Sequence, residues 1–139
     1  MENGVVYLLD TNIWLERLLD QSQSASVGEL LGRLPLDHIL MSDFTLHSLG
    51  VILHRWRQHT VFAAFVQDVL LDGGVALISL PAAAMTDVVA AMDGFGLDFD
   101  DAYQYVVAER ENASLISFDA HFDQTDRGRM TPAQVLSQL

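Results

Sequence analysis

The feature that most constrains the fold is the stretch from Val5 to Asn12, in which five apolar residues run directly into an acid, a threonine and an amide. A continuous apolar run of this kind is typical of a strand that is buried on both faces. Asp10 then lies at the point where such a strand ends. Because ligands of open α/β sheets bind beyond the carboxyl ends of the strands, we interpret Asp10 as the anchor of a site.

Strand-like and helix-like segments alternate along the rest of the chain. Three further apolar segments predict strands over His38–Met41, Val75–Leu80 and Ser114–Phe118. The segments between them have apolar residues at helical spacing, which predicts among others a helix over Thr60–Leu71 and a later helix that begins at Pro81 and is ended by Gly94 and Gly96. The alternation predicts a single domain over residues 1–139 with an α/β fold, in which helices cover both faces of a mostly parallel sheet.

The composition limits the kinds of function that are open to the chain. Its 139 residues include no cysteine, which excludes disulfides, thiolate catalysis and zinc–thiolate sites. No apolar run approaches the roughly 20 residues that span a bilayer, and the N-terminus lacks a signal-peptide pattern, so we expect a cytoplasmic protein without a membrane anchor. The net charge of −12, with seven arginines and no lysine, argues against a broad phosphate-binding surface.

Carboxylates cluster at places that one edge of a parallel sheet would bring together. They follow the first strand, follow the fourth strand, or crowd the start of the helix before the fourth strand: Asp10; Asp119; and Asp98, Asp100 and Asp101. If the first and fourth strands are neighbours, these acids face one crevice. Clustered carboxylates repel one another, and a site that keeps them together with oxygen ligands alone favours magnesium or manganese. Asp98 also fits a helix N-cap, whereas Asp101 is less easily explained by capping.

Four sequence blocks together resemble the PIN-domain family. They occur in the family's order and spacing and read LLDTNIWLE, SDFTLHSLGVIL, LDFDDAYQYVVAE and LISFDAHFD. The match extends over nearly the whole chain and resembles in particular small bacterial members such as the toxins of VapBC-type pairs. The resemblance implies a three-layer α/β/α fold and a Mg²⁺- or Mn²⁺-dependent ribonuclease that cleaves single-stranded RNA. It also implies an antitoxin partner and a homodimer.

The resemblance assigns roles to individual residues by motif position. Asp10, Asp101 and Asp119 are similar to the family's first, third and fourth acids, which implies that they hold the metal and are catalytic. Thr11 and Asn12 match the polar pair that follows the first acid. The resemblance implies that this pair supports the metal site by ordering water or metal contacts.

One position departs from the family pattern. The family's second acid is usually a glutamate three residues after a threonine, and here Thr45 is followed by Ser48 at that position. His47 is adjacent but points about 100° away on a helix, so it is a poor substitute. We therefore expect three carboxylates rather than four, weaker metal binding, and weaker or altered activity.

Two groups of residues outside the motif positions are candidates for supporting roles. His121 and Asp123 lie just past Asp119 and are close enough in sequence to approach the site. A histidine in such a position is more often a surface or supporting residue than a metal ligand.

The second group is a basic and aromatic patch at the end of the third predicted helix. Arg55 and Arg57 there are candidates for contacts with RNA phosphates, and Trp56 for stacking against a base. The alternative is that Trp56 belongs to the core or to a dimer interface and that both arginines are solvated.

Two other functions compete with the ribonuclease. One is a catalytically weakened or inactive PIN-like module that binds RNA or protein, in which Ser48 marks lost chemistry. The other is a phosphotransfer domain of the phosphatase or receiver type, which also places an aspartate after the first strand. The phosphotransfer domain fits less well, because such phosphatases have a second aspartate where this chain has Asn12, and both types use a lysine, which the chain lacks.

Overall fold

Four parallel strands form the centre of the protein in the computed structural model, which describes residues 4–139. The strands are β1 (Tyr7–Leu9), β2 (Ile39–Ser42), β3 (Ala76–Ile78) and β4 (Ser114–Ile116). They lie in the order β3-β2-β1-β4, and each neighbouring pair is parallel. Because β1 and β4 are neighbours, the residues that follow these two strands meet at one edge of the sheet.

Helices cover both faces of the sheet. They are α1 (Thr11–Leu18), α2 (Ser24–Arg33), α3 (Asp43–Arg55), α4 (His59–Phe65), α5 (Met85–Phe95), α6 (Phe99–Glu111) and α7 (Pro132–Leu136). Helices α5 and α6 pack on one face, and α1 to α4 and α7 pack on the other. The predicted three-layer α/β/α fold is therefore confirmed. None of the helices between residues 4 and 139 has the length and apolarity needed to cross a membrane.

Alternating side chains of the short strands supply a separate core to each face. In β1, Leu8 packs under α5 and α6, whereas Leu9 packs in the opposite core. In β2, Leu40 lies in the first core, and Ile39 and Met41 lie in the second. All five side chains are buried. Burial on both faces favours apolar residues at successive strand positions, which explains the uninterrupted apolar run before Asp10.

The helix predicted over Thr60–Leu71 differs from the structure in its second half. The α-helical part is His59–Phe65, and Val66–Leu71 continues as a π-helix. The chain then turns at Gly73, where an added Cβ would lie 2.4 Å from the carbonyl oxygen of Asp68. Apolar spacing does not distinguish the two helix types over so short a segment, so the prediction gave the extent of the helix but not its type.

The helix predicted to begin at Pro81 begins later. Pro81 instead precedes a short 3-10 turn over Ala82–Ala84, after which α5 begins at Met85. The fixed φ of proline suits both starts, so the residue alone does not separate them. Of the two glycines predicted to end this helix, Gly96 is the one that does so, at a φ of 68° in the left-handed region that favours glycine.

We predict that Leu49→Ala lowers the free energy of unfolding by about 2–5 kcal/mol, because Leu49 is fully buried between α3 and the sheet. Urea denaturation followed by circular dichroism measures the loss. The matched control is Leu71→Ala, since the Leu71 side chain is 68% exposed and its truncation should change stability by less than about 0.5 kcal/mol. Equal losses in the two variants would contradict the assignment of this core.

Candidate metal centre

Three carboxylates meet at the carboxyl edge of the sheet. Asp10 directly follows β1 and is the N-cap of α1, while Asp119 lies beyond β4 and is the N-cap of a short 3-10 helix over Ala120–Gln124. Asp101 lies in the first turn of α6. All three line one cavity of about 280 Å³. The structure thus brings together the three acids that the sequence predicted as metal ligands.

The carboxylate of Asp10 is buried and held by three hydrogen bonds. Its Oδ1 accepts from the backbone N–H of Thr11 at 2.8 Å and from Nε2 of Gln104 at 3.0 Å, and its Oδ2 accepts from the hydroxyl of Ser117 at 2.7 Å. Burial raises the pKa of Asp10, and the hydrogen bonds from Gln104 and Ser117 act in the opposite direction. The three donors fix the orientation of a carboxylate whose charge burial disfavours.

Two of these donors were not predicted as site residues. Gln104 is fully buried and also donates to the hydroxyl of Thr45 at 2.7 Å, which links α6 to α3 beneath the site. The signal in the sequence is that Gln104 follows Asp101 by three residues, so both lie on one face of α6. Ser117 is likewise fully buried, and its sequence signal is the position two residues before Asp119.

Asp101 lies in surroundings that disfavour its negative charge. Burial raises its pKa to about 7, and the charges of Asp119, Asp98 and Asp10 act in the same direction. Within residues 4–139, no arginine lies within 4.0 Å of Asp10, Asp101 or Asp119, and the chain has no lysine. The other carboxylates therefore raise the pKa of Asp101, and no arginine or lysine offsets their effect.

Three of the four predicted supporting residues line the cavity, and the fourth caps helix α6. Thr11, Asn12 and Ser48 line the cavity. Asn12 also ties α1 to the segment after β4, because its Oδ1 accepts from the backbone N–H of Phe118 at 3.2 Å. Asp98 does not line the cavity and is the N-cap of α6, with its Oδ1 accepting from the backbone N–H of Asp101.

Another acid and a histidine lie beside the three carboxylates. Asp100, rather than Asp98, lines the cavity beside Asp101. His121 places its Nδ1 3.2 Å from Oδ1 of Asp119 and 3.5 Å from Oδ2 of Asp101. The imidazole is 71% exposed and does not itself line the cavity.

The basic patch lies at the far end of α3. Trp56 is 65% exposed, so the interpretation of this side chain as part of the core is wrong. Arg55 and Arg57 are also exposed on this surface. Nearby, Nδ1 of His54 lies 2.7 Å from Nε2 of His59, which connects the end of α3 to the start of α4.

The chain belongs to the PIN-domain family, because the profile of the PIN domain matches residues 7–128. Several solved structures share the fold. A protein from a toxin–antitoxin complex of Klebsiella pneumoniae is 19% identical, with 91% of this chain and 97% of that chain covered and a TM-score of 0.72. VapC20 of Mycobacterium tuberculosis, a toxin that cleaves the sarcin-ricin loop, is 18% identical, with 81% and 89% covered and a TM-score of 0.68.

FitAcB from Neisseria gonorrhoeae is a further structure with this fold. It is 21% identical, with 92% of this chain and 99% of that chain covered and a TM-score of 0.71. A search of curated proteins finds no significant sequence match. Since the identities are low, these structures establish the fold of the chain and not its activity.

The donor set of the cavity fits a divalent cation, the kind of ion that PIN nucleases typically use. Asp10, Asp101 and Asp119 supply carboxylate oxygens from three separate elements, and oxygen donors suit hard divalent cations. Burial and the neighbouring carboxylates raise the pKa of Asp101, and a bound cation would act in the opposite direction. Asp101 and Asp119 offer oxygens within 4.8 Å of each other, and Asp10 lines the same cavity, so these are the carboxylates that could hold such an ion.

The raised pKa of Asp101 predicts how the stability of the metal-free protein depends on pH. A carboxyl whose pKa is about 7 in the folded state, against an ordinary value of 3.8, favours folding only while it is protonated. This contribution is complete below about pH 4 and is lost as the pH rises through about 7. Burial shifts the pKa of Asp10 in the same direction. We predict that Tm in a chelating buffer falls between about pH 5 and about pH 8, and falls less in Asp101→Asn.

The matched control for this measurement is Asp93→Asn, since Asp93 is exposed on α5 away from the cavity. That variant should keep the pH dependence of the unmodified protein. If Asp101→Asn and Asp93→Asn show the same change of Tm with pH, the pKa of Asp101 is not raised in the folded protein.

Proposed function

We propose that this protein is a metal-dependent ribonuclease that cleaves single-stranded RNA, with Mg²⁺ or Mn²⁺ held by Asp10, Asp101 and Asp119. The main support is the position of a fixed, buried carboxylate beside two others in one cavity, with no arginine of residues 4–139 within 4.0 Å of the three. Membership of the PIN-domain family supports a nuclease, since PIN domains are generally nucleases.

Each acid has a distinct part in this proposal. A divalent cation supplies positive charge that stabilises a phosphodiester under attack and lowers the pKa of a nearby water. The carboxylate of Asp10 has a fixed position in the site, because three donors on α1, α6 and the segment after β4 hold its oxygens. Asp101 and Asp119 extend the negative surface towards solvent, where their side chains are 14% and 29% exposed. The phosphate is thus bound at the open side, opposite the buried carboxylate.

The surface of α3 offers a path for the RNA strand away from the cavity. Ser48 and Ile52 line the cavity, and Trp56 follows at the same four-residue spacing. At about 1.5 Å per residue, Trp56 lies about 12 Å along the helix from Ser48. We propose that a base of the bound RNA strand, near the cleaved bond, stacks on the exposed Trp56. The phosphates of the same strand would then lie near Arg55 and Arg57.

We further propose that the protein is the toxin of a type II toxin–antitoxin pair. Its fold is similar to a protein from a toxin–antitoxin complex of Klebsiella pneumoniae and to the toxin VapC20. An open apolar groove of about 730 Å³ between α3 and α4 suits a partner segment, and its lining includes Leu46, Val51, Phe62 and Arg55. Apolar side chains of an antitoxin would fill the groove, and an acidic residue would face Arg55. The homodimer that the family resemblance implies stays a prediction.

The test of the nuclease is cleavage of a single-stranded RNA by the purified protein with and without Mn²⁺. We predict metal-dependent cleavage that falls by at least about a hundredfold in Asp10→Asn and in Asp101→Asn, because each variant loses a ligand charge. Asp93→Asn is the matched control and should cleave like the unmodified protein. Equal activity in all four proteins, or no cleavage of any RNA with any divalent metal, would contradict the proposal.

The presence of Ser48 in the cavity favours one second function, a PIN-like module with lost or weakened chemistry. We predict that Ser48→Glu tightens Mn²⁺ binding by about tenfold, since it adds a ligand charge, as measured by titration calorimetry. Ser22→Glu, on the exposed loop after α1, is the control and should leave the affinity unchanged.

The two functions separate in the cleavage assay. If the unmodified protein binds Mn²⁺ without cleaving RNA and Ser48→Glu cleaves it, the chain is the weakened module. An affinity that Ser48→Glu leaves unchanged or lowers would show that position 48 does not reach the bound ion.

A further inference from the structure

His121 is the one basic side chain among residues 4–139 that lies within 4.0 Å of the carboxylates of the site. Its Nδ1 approaches two of them at once, at 3.2 Å from Oδ1 of Asp119 and 3.5 Å from Oδ2 of Asp101. One ligand atom from each of these three residues lies within 4.8 Å of the others, which is the spacing that a shared ion needs.

These separations match the edges of a coordination sphere. Two ligands bound at about 2.1 Å and at right angles to each other lie about 3.0 Å apart. The two measured distances from Nδ1 of His121 to carboxylate oxygens exceed this value by a few tenths of an ångström. Small rotations of the exposed imidazole are enough to bring the nitrogen to a ligand position.

The backbone holds His121 in this place together with Asp119. The N–H of His121 donates to Oδ1 of Asp119 at 2.9 Å, which is the cap of the 3-10 helix over Ala120–Gln124. The turn that aims Asp119 at the cavity therefore sets the position of His121 as well. The imidazole is 71% exposed, so its replacement leaves the core unchanged.

We propose that His121 is a nitrogen ligand of the divalent cation, on the side of the site that Asp101 and Asp119 share. The inference rests on the proposed metal site and names a ligand for it. It gives the site a fourth protein ligand although Ser48 supplies no charge at the position where the family usually has an acid. His121 binds through a neutral Nδ1, so it adds a donor without adding to the repulsion among the carboxylates.

A nitrogen ligand changes which metal the site prefers. Imidazole binds transition-metal ions such as iron, nickel and zinc well, whereas magnesium is bound almost entirely through oxygen and keeps several waters, and manganese is the transition-metal ion among the two proposed for this site. His121 therefore favours Mn²⁺ over Mg²⁺ in this site. Without the imidazole, the remaining carboxylates discriminate less between the two ions.

The first test is spectroscopic and independent of activity. Electron spin echo envelope modulation of the protein loaded with Mn²⁺ detects a coordinated ¹⁴N nucleus. We expect nitrogen modulation in the unmodified protein and its loss in His121→Gln. The matched control is His38→Gln, because His38 precedes β2 and so lies at the opposite edge of the sheet from the site. This control should keep the modulation.

The second test is calorimetric titration of the same three proteins with Mn²⁺ and with Mg²⁺. We expect His121→Gln to weaken Mn²⁺ binding by about tenfold and Mg²⁺ binding by less than about twofold. A purely structural role of His121 would change both affinities by the same factor. An ion pair between His121 and the two acids would instead tighten both affinities when the histidine is removed.

The outcomes separate this inference from the proposed function. Bound Mn²⁺ that is lost in Asp101→Asn but shows no nitrogen modulation overturns the role of His121 and leaves the acidic site in place. Nitrogen modulation that persists in His121→Gln also overturns it. No Mn²⁺ binding by the unmodified protein overturns both the ligand and the proposed metal site.

Discussion

The buried carboxylate of Asp10 is the interaction on which the rest of the site depends. A charged group with 7% exposure is costly unless donors surround it, and here three donors come from three different parts of the chain. The backbone of Thr11, the amide of Gln104 and the hydroxyl of Ser117 can reach one carboxylate only if α1, α6 and the segment after β4 converge. The parallel pairing of β1 and β4 produces this convergence, because it puts the residues that follow both strands at one edge of the sheet.

The sequence predicted the fold class and the meeting of Asp10, Asp101 and Asp119 in one crevice, because both follow from local patterns. Uninterrupted apolar runs identify strands buried on both faces, and acids directly after such runs fall at one edge of a parallel sheet. The sequence argument assumed that β1 and β4 are neighbours, because no local pattern shows which strands pair. The pairing of Tyr7 with Ser114 and of Leu9 with Ile116 confirms that assumption.

The residues that sequence reasoning missed act over long sequence separations. Gln104 is one of several polar residues in α6, and only the structure shows that its amide reaches Asp10 and Thr45, far away in the chain. Ser117 is equally inconspicuous before it is seen to donate to Asp10. The distance of His121 from two acids depends on the conformation of the turn after β4, which composition does not specify. The sequence analysis interpreted His121 as a surface or supporting residue, and the side chain is indeed exposed. It did not predict that the imidazole faces Asp101 and Asp119.

The central claim is that Asp10, Asp101 and Asp119 form one metal site around a fixed carboxylate. The most direct measurement is a crystal structure of the protein soaked in Mn²⁺, with anomalous diffraction recorded at the manganese absorption edge. The account predicts an anomalous peak inside the cavity, at about 2.2 Å from an oxygen of each of the three acids. A peak elsewhere on the surface, or a cavity without a peak at saturating Mn²⁺, would contradict it.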